Sequence, residues 1–151
     1  MVSERYLEPG WFTRKVFNRM VVAATRRGLS IWGSRILEVR GRTSGQIHPV
    51  PVNVLTLGES RYLVAPRGVT QWVRNMRVAR EGTLRLGGRS EPFHATEIAD
   101  SEKVPVLRAY LKRWKMEVGV FFDGVGADAD DAELARIASS HPVFRVDMKT
   151  P

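Results

Sequence analysis

What most constrains this chain is a punctuated series of short apolar runs in its middle half, each closed by a glycine- or proline-bearing turn. Residues 36–40 form the first run, ended by Gly41-Arg42-Thr43-Ser44-Gly45. From Gln46 to Leu57, Val50, Val52 and Val54 recur at period two, the pattern of a half-buried strand. Pro49 and Pro51 lack amide donors, so the first part of that strand is expected at an edge or out of the ladder. Leu57-Gly58-Glu59-Ser60 reads as a hairpin turn into residues 61–65, and Gly87-Gly88 joins residues 83–86 to 92–98. So many short strands, with turns at such regular spacing, suit a barrel or a sandwich.

The last third turns helical before one further strand. Pro105 suits a first-turn position, and Leu107, Leu111, Trp114 and Val118 recur at helical spacing. A short helix is expected near Asp130, with Glu133 three residues on as in a capping box. His141-Pro142 ends it, and residues 143–148 alternate again as a final strand. The expected class is therefore α+β, mainly β.

Before the sheet, residues 1–30 read as an extension and residues 31–151 as one domain. Within the extension Phe12, Val16, Met20 and Ala23 share one helical face, while Lys15, Arg19 and Arg26 gather on another. Such a basic amphipathic helix can lie on a membrane surface or pack on the barrel, and the pattern fits both. No apolar run is long enough to span a bilayer, no signal-peptide pattern is present, and there is no cysteine. A cytoplasmic protein is expected, with the helix offering a peripheral contact to the inner face of the membrane. A homodimer is left open.

The net charge of +8 calls for a partner, and arginine supplies most of it. Nucleic acid, an anionic membrane and a polyanionic small molecule all fit. The basic residues are scattered among strands, and no nucleic-acid recognition motif is present, so nucleic acid is not the expected partner. His48, His94 and His141 lack metal-ligand spacing, and no metal is expected.

Two segments carry the candidate chemistry. In Gly41-Arg42-Thr43-Ser44-Gly45 the glycines free the backbone to turn, Arg42 adds a guanidinium fork and Ser44 a hydroxyl. A plain hairpin turn with a surface arginine explains the same residues. In Ala65-Pro66-Arg67-Gly68-Val69-Thr70-Gln71-Trp72-Val73-Arg74-Asn75, a strand enters a loop and Thr70 is placed to cap the following helix. That geometry aims helix N-terminal amides at whatever occupies the loop. Trp72 and Asn75 share a helical face, and Trp72 also fits a core position. Two anion-competent turns at strand ends of one small barrel favour a bound phosphate compound.

These segments give the chain a specific resemblance. Residues 37–46, the proline-bearing strand after them, Val64-Ala65-Pro66-Arg67-Gly68 and Gln71-Trp72-Val73-Arg74-Asn75 resemble the deazaflavin-dependent nitroreductases, actinobacterial enzymes also called deazaflavin-dependent quinone reductases. The likeness continues through Val106-Leu107-Arg108-Ala109-Tyr110-Leu111 and Trp114 to His141-Pro142-Val143-Phe144-Arg145-Val146. It implies a split β-barrel of the FMN-binding type with flanking helices. The implied cofactor is coenzyme F420, an 8-hydroxy-5-deazaflavin with a phosphodiester and a polyglutamate tail, with FMN the nearest alternative.

By the same resemblance Arg42, Thr43 and Ser44 would hold the phosphate and tail, and His48, Pro49, Val50, Pro51 and Val52 would line the ring. Ala65, Pro66, Arg67 and Gly68 would present backbone groups, with Gln71, Trp72 and Asn75 closing the far side. The hydride acceptor would be a quinone, an enone or a nitroaromatic, against a wall drawn from Tyr110, Trp114, Met116, Val120, Phe121 and Phe122. An ordinary core explains that set equally well. His48 is a candidate proton donor or a packing residue. The chain departs from its best-known relative at Phe121 and Phe122, where that enzyme relies on tyrosines, and at Arg67-Gly68, where it has a serine and a lysine. A non-catalytic carrier of F420 or of a lipid would share these binding residues.

Overall fold

The computed structural model of the chain describes residues 34–118, 121–122 and 124–149, with the backbone alone for residues 115–118. Strands β1 (Ser34–Arg40), β2 (Ile47–Leu57), β3 (Ser60–Val64), β4 (Glu81–Leu86), β5 (Arg89–Glu97) and β6 (Val143–Met148) close in the order β1-β2-β3-β6-β5-β4. Every neighbouring pair is antiparallel.

Two hairpins are as tight as the glycines allow. Leu57 pairs with Ser60 across Gly58-Glu59, and Leu86 with Arg89 across Gly87-Gly88. Gly58 and Gly87 take φ of 63° and 59°, the left-handed backbone that two-residue hairpin loops require. Strands β4 and β5 begin earlier than residues 83 and 92, because the Gly87-Gly88 turn zips the hairpin up to its last residues.

Strand β2 changes partner halfway. Ile47 to Asn53 pair with β1, whereas Val54 to Leu57 pair with β3. Pro49 and Pro51 thus fall in a half with β1 on one side only, and their two-residue spacing turns both missing donors the same way. That agrees with the edge expected of them. The step in β2 is where the barrel splits.

Alternation along the strands sorts the core into two clusters. Inside the barrel lie Leu37, Val39, Val54, Leu63, Leu84, Phe93, Phe144 and Val146. Helix α1 (Gln71–Ala79) adds Val73 and Met76 to that cluster and so plugs one end of the barrel. A bidentate pair from Arg77 to Glu97, at 2.9 and 2.8 Å, pins the helix to β5. Outside, Leu107, Leu111 and Trp114 of α2 (Val104–Val118) and Leu134 of α3 (Asp131–Ile137), with Phe122 from the segment between them, cover Leu55, Val64 and Val143. Asp130 caps α3 as expected, accepting from the Glu133 N–H at 2.9 Å. Lys103 is 97% buried, at 3% exposure, and its Nζ donates to Ala138 O at 3.0 Å and pairs with Asp100 at 2.7 Å. It ties the start of α2 to the end of α3.

Among the described residues no helix is long and apolar enough to cross a membrane. The amphipathic helix expected between Trp11 and Gly28 lies outside the described residues, as do Val120 and the side chain of Met116.

Candidate cofactor site

The turn after β1 is held from within. Gly41 N–H donates to Gln46 O at 2.7 Å and Gly45 N–H to Gly41 O at 2.9 Å, with Gly45 at φ 74°. Ser44 Oγ accepts from Gln46 N–H at 3.1 Å and lies 3.3 Å from His48 Nε2. A Cβ on Gly41 would stand 2.8 Å from that nitrogen and 2.9 Å from Ser44 Oγ, so only glycine lets the three close up.

The turn before α1 is equally specific. Ala65 N–H donates to Pro142 O at 2.8 Å, which fixes the end of β3 beside β6. Gly68, at φ 88°, donates back to Ala65 O at 3.2 Å and accepts from Thr70 N–H at 3.0 Å. Thr70 occupies the N-cap position with extended backbone, but its side chain makes no capping bond. Its Oγ1 is buried without a hydrogen-bond partner among the described residues. Position was legible in the sequence; the bond was not, because the tight Gly68–Thr70 turn fixes where the hydroxyl points.

Arg42 joins the two turns. Its backbone N–H donates to Asn75 Oδ1 at 3.1 Å, and its Nη1 donates to the same oxygen at 2.7 Å and to Gln71 Oε1 at 3.0 Å. Asn75, 5% exposed, is thus a buried tie between loop and helix. Trp72 is half-buried, its ring 5.8 Å from that of Phe144. Arg67 and Pro66 are half-buried in the loop, while Ala65 and Gly68 are buried. Thr43 and Ser44 are exposed.

Alternation divides the next strand. His48, Val50 and Val52 share the side of β2 that Val54 turns into the barrel, and Pro49 and Pro51 take the opposite side. Val50 and Val52 pack against the inner cluster, and His48 stands exposed at the rim.

The aromatic residues considered for the acceptor are elsewhere. Tyr110, Trp114, Phe121 and Phe122 are buried in the outer cluster, with Tyr110 5.0 Å from Trp114 and 6.3 Å from Phe122. His141 stacks on Phe122 at 4.1 Å. The structure does not bring these rings to the end of the barrel that α1 closes. Missing from the sequence reading was Arg35, which β1 turns to the same side as Leu37 and Val39. An arginine in phase with apolar residues was the signal.

A closed six-stranded antiparallel barrel with α1 across one end and two helices on one wall defines the split-barrel, pyridoxamine-oxidase-like class. Within that class the sequence pattern of the F420H(2)-dependent quinone reductases matches residues 12–121, more than half of the chain, and the chain belongs to that family. Among solved structures it is similar to the F420-H2 dependent reductase FDR-A, at 16% identity and TM-score 0.55, covering 76% of this chain and 94% of that one. A protein described as a domain-swapped dimer matches at 16% identity and TM-score 0.56, covering 90% of this chain and 97% of that one. A Listeria innocua protein of pyridoxamine 5′-phosphate oxidase type matches at 10% identity and TM-score 0.51, over 89% and 94%. No curated protein matches.

Proposed function

We propose that this chain binds coenzyme F420 at the α1 end of the barrel and passes a hydride from its reduced form to a quinone, enone or nitroaromatic. The observation that carries the reading is the Arg42–Asn75–Gln71 junction, which ties two glycine-bearing turns together at one end of the barrel.

The residues present fit a phosphate-bearing group. A guanidinium, the exposed Ser44 hydroxyl and the buried, unengaged Thr70 Oγ1 are the donors an oxyanion takes. A Cβ at Gly41 would crowd His48 and Ser44, and Gly68 holds a φ of 88° that favours glycine. When bound, the deazaflavin supplies a hydride from its ring carbon; the rest falls to the protein. Arg42, Thr43 and Ser44 hold the phosphate and tail, and the Ala65–Gly68 loop with Gln71 and Asn75 fixes the orientation. Val50, Val52 and Trp72 keep water from the ring, which strengthens every electrostatic contact there. His48 Nε2, beside Ser44 Oγ, can hold a proton for the reduced product.

Titration of the full chain with F420 and with FMN tests the binding, and loss of reduced F420 on adding menadione tests turnover. The expected result is F420 binding in the micromolar range or tighter, with consumption only when menadione is present. Arg42→Ala should weaken binding by about ten- to a hundredfold, the worth of a charge-assisted bond of roughly 1.5–3 kcal/mol. A yellow preparation retaining FMN would replace F420 with FMN. Binding without consumption would make the chain a carrier. We further propose a cytoplasmic homodimer whose basic N-terminal stretch meets the inner face of the membrane. Light scattering and flotation with anionic vesicles test those two points.

A further inference from the structure

The barrel has two ends, and the second is lined with arginine. Arg35, Val54, Thr56, Arg61, Leu84 and Arg113 surround a cleft of about 150 Å³. None of these lining residues is acidic. Arg35 is the second residue of β1 and Arg42 lies two residues beyond its end, so the cleft lies about a full strand away from the Arg42 turn. Arg35, Thr56 and Arg61 fall on the inward-facing sides of β1, β2 and β3, in phase with Leu37, Val54 and Leu63. The inside of a small barrel is ordinarily filled by apolar side chains. Here the inward positions of β1 and β3 change from apolar to cationic, and that of β2 to a hydroxyl, as they reach one mouth.

The groups around the cleft hold one another in place. Arg61 Nη1 lies 3.5 Å from Glu91 Oε2 on β5 and 3.9 Å from Met148 Sδ on the neighbouring β6. Arg113 reaches in from α2, its guanidinium 4.7 Å above the Trp114 ring. Burial holds the Arg35 guanidinium below its ordinary value, and Arg61 and Arg89 push the same way against the pull of Glu91. Like charges gathered on a partly desolvated wall are unfavourable unless an anion sits among them.

The geometry points to a second anion site in this cleft, which takes one phosphate group, free or as the monoester end of a small molecule, on Arg35, Arg61, Arg113 and the Thr56 hydroxyl. Guanidinium forks and a hydroxyl match the oxygens of a tetrahedral dianion. The volume admits one phosphate, within reach of three guanidinium groups. Nothing in this site touches the turn that carries Arg42, so it stands or falls apart from the deazaflavin reading.

The test is thermal denaturation and calorimetric titration of the full chain with inorganic phosphate, with glycerol phosphate, and with chloride at matched ionic strength. Either phosphate should raise the melting temperature saturably where chloride does not. The tighter of the two identifies a free ion or a monoester as the source. In an Arg42→Ala background, which removes phosphate held at the α1 end, phosphate binding should persist, and Arg61→Gln and Arg113→Gln should each weaken it at least tenfold. Arg113 is exposed on α2, so its variant is expected to fold even where an inward substitution does not. Phosphate behaving like chloride would overturn the site. So would phosphate binding in that background that survives Arg113→Gln and Arg61→Gln, or its absence there.

Discussion

Asn75 Oδ1 accepts two bonds from a single residue, one from the Arg42 backbone and one from its guanidinium, and it does so at 5% exposure. An amide oxygen holds the guanidinium without neutralising it, which leaves its charge for an anionic ligand. Asn75→Asp keeps the shape and adds a carboxylate at the same point. Cofactor affinity in that variant should fall about tenfold or more, since a charge-assisted bond of roughly 1.5–3 kcal/mol would be satisfied inside the protein. Folding stability should hold or rise. Asn75→Leu strips the acceptor from a part-buried N–H and should lower stability by about 1–3 kcal/mol. Fluorescence titration and urea unfolding separate the two effects, and an Asn75→Asp variant that binds normally would dissociate Arg42 from the phosphate. From the sequence, Asn75 could be placed on the Trp72 face of a helix. Its bond to a residue 33 positions away could not, because local spacing carries no information about which loop a helix meets.

The strands were readable because their signals are local. Period-two valines, a proline pair in the half of β2 with β1 alone beside it, and glycines at two-residue hairpins each mark an element without reference to the rest of the chain. The same locality left the packing of α2 open: its apolar spacing predicts a helix, and only the structure assigns Tyr110 and Trp114 to the outer wall. Trp114 itself breaks helical geometry, at φ −123° and ψ 21°, a kink that no proline announces. Two glycines show how one substitution means different things in different elements. A Cβ on Gly82, in β4, would stand 2.8 Å from the Glu38 carbonyl of β1 and 3.0 Å from the Phe93 ring. Backbone cannot step aside, so Gly82→Ala should cost about 1–3 kcal/mol, as overpacking does. At Gly41 the new atom meets the side chains of His48 and Ser44, which can rotate away. Gly41→Ala should change stability by no more than about 0.5 kcal/mol yet weaken cofactor binding by parting that pair. Urea denaturation beside cofactor titration checks both, and equal stability losses would contradict the distinction.

For the whole molecule, arginines stand at both mouths of one barrel, Arg42 at one and Arg35, Arg61 and Arg113 at the other. Strand β1 separates them by seven residues, about 20 Å at strand rise. Salt therefore sets how far each mouth feels the other. The screening length is about 8 Å at physiological ionic strength and about 30 Å near 0.01 M. At physiological salt Arg61→Gln, at the far mouth, should leave F420 affinity unchanged, while Arg42→Ala weakens it. In dilute buffer the far charge comes within range, and Arg61→Gln should also weaken F420 binding, by a smaller factor than Arg42→Ala. The polyglutamate tail adds charges to the ligand, so long-tailed F420 should lose affinity with salt more steeply than a deazaflavin lacking the tail. Titrations of the three proteins at two ionic strengths decide the matter. Equal losses from both substitutions at physiological salt would mean that one ligand spans both mouths. The barrel would then present a single field, where the strand lengths and the screening length together require two.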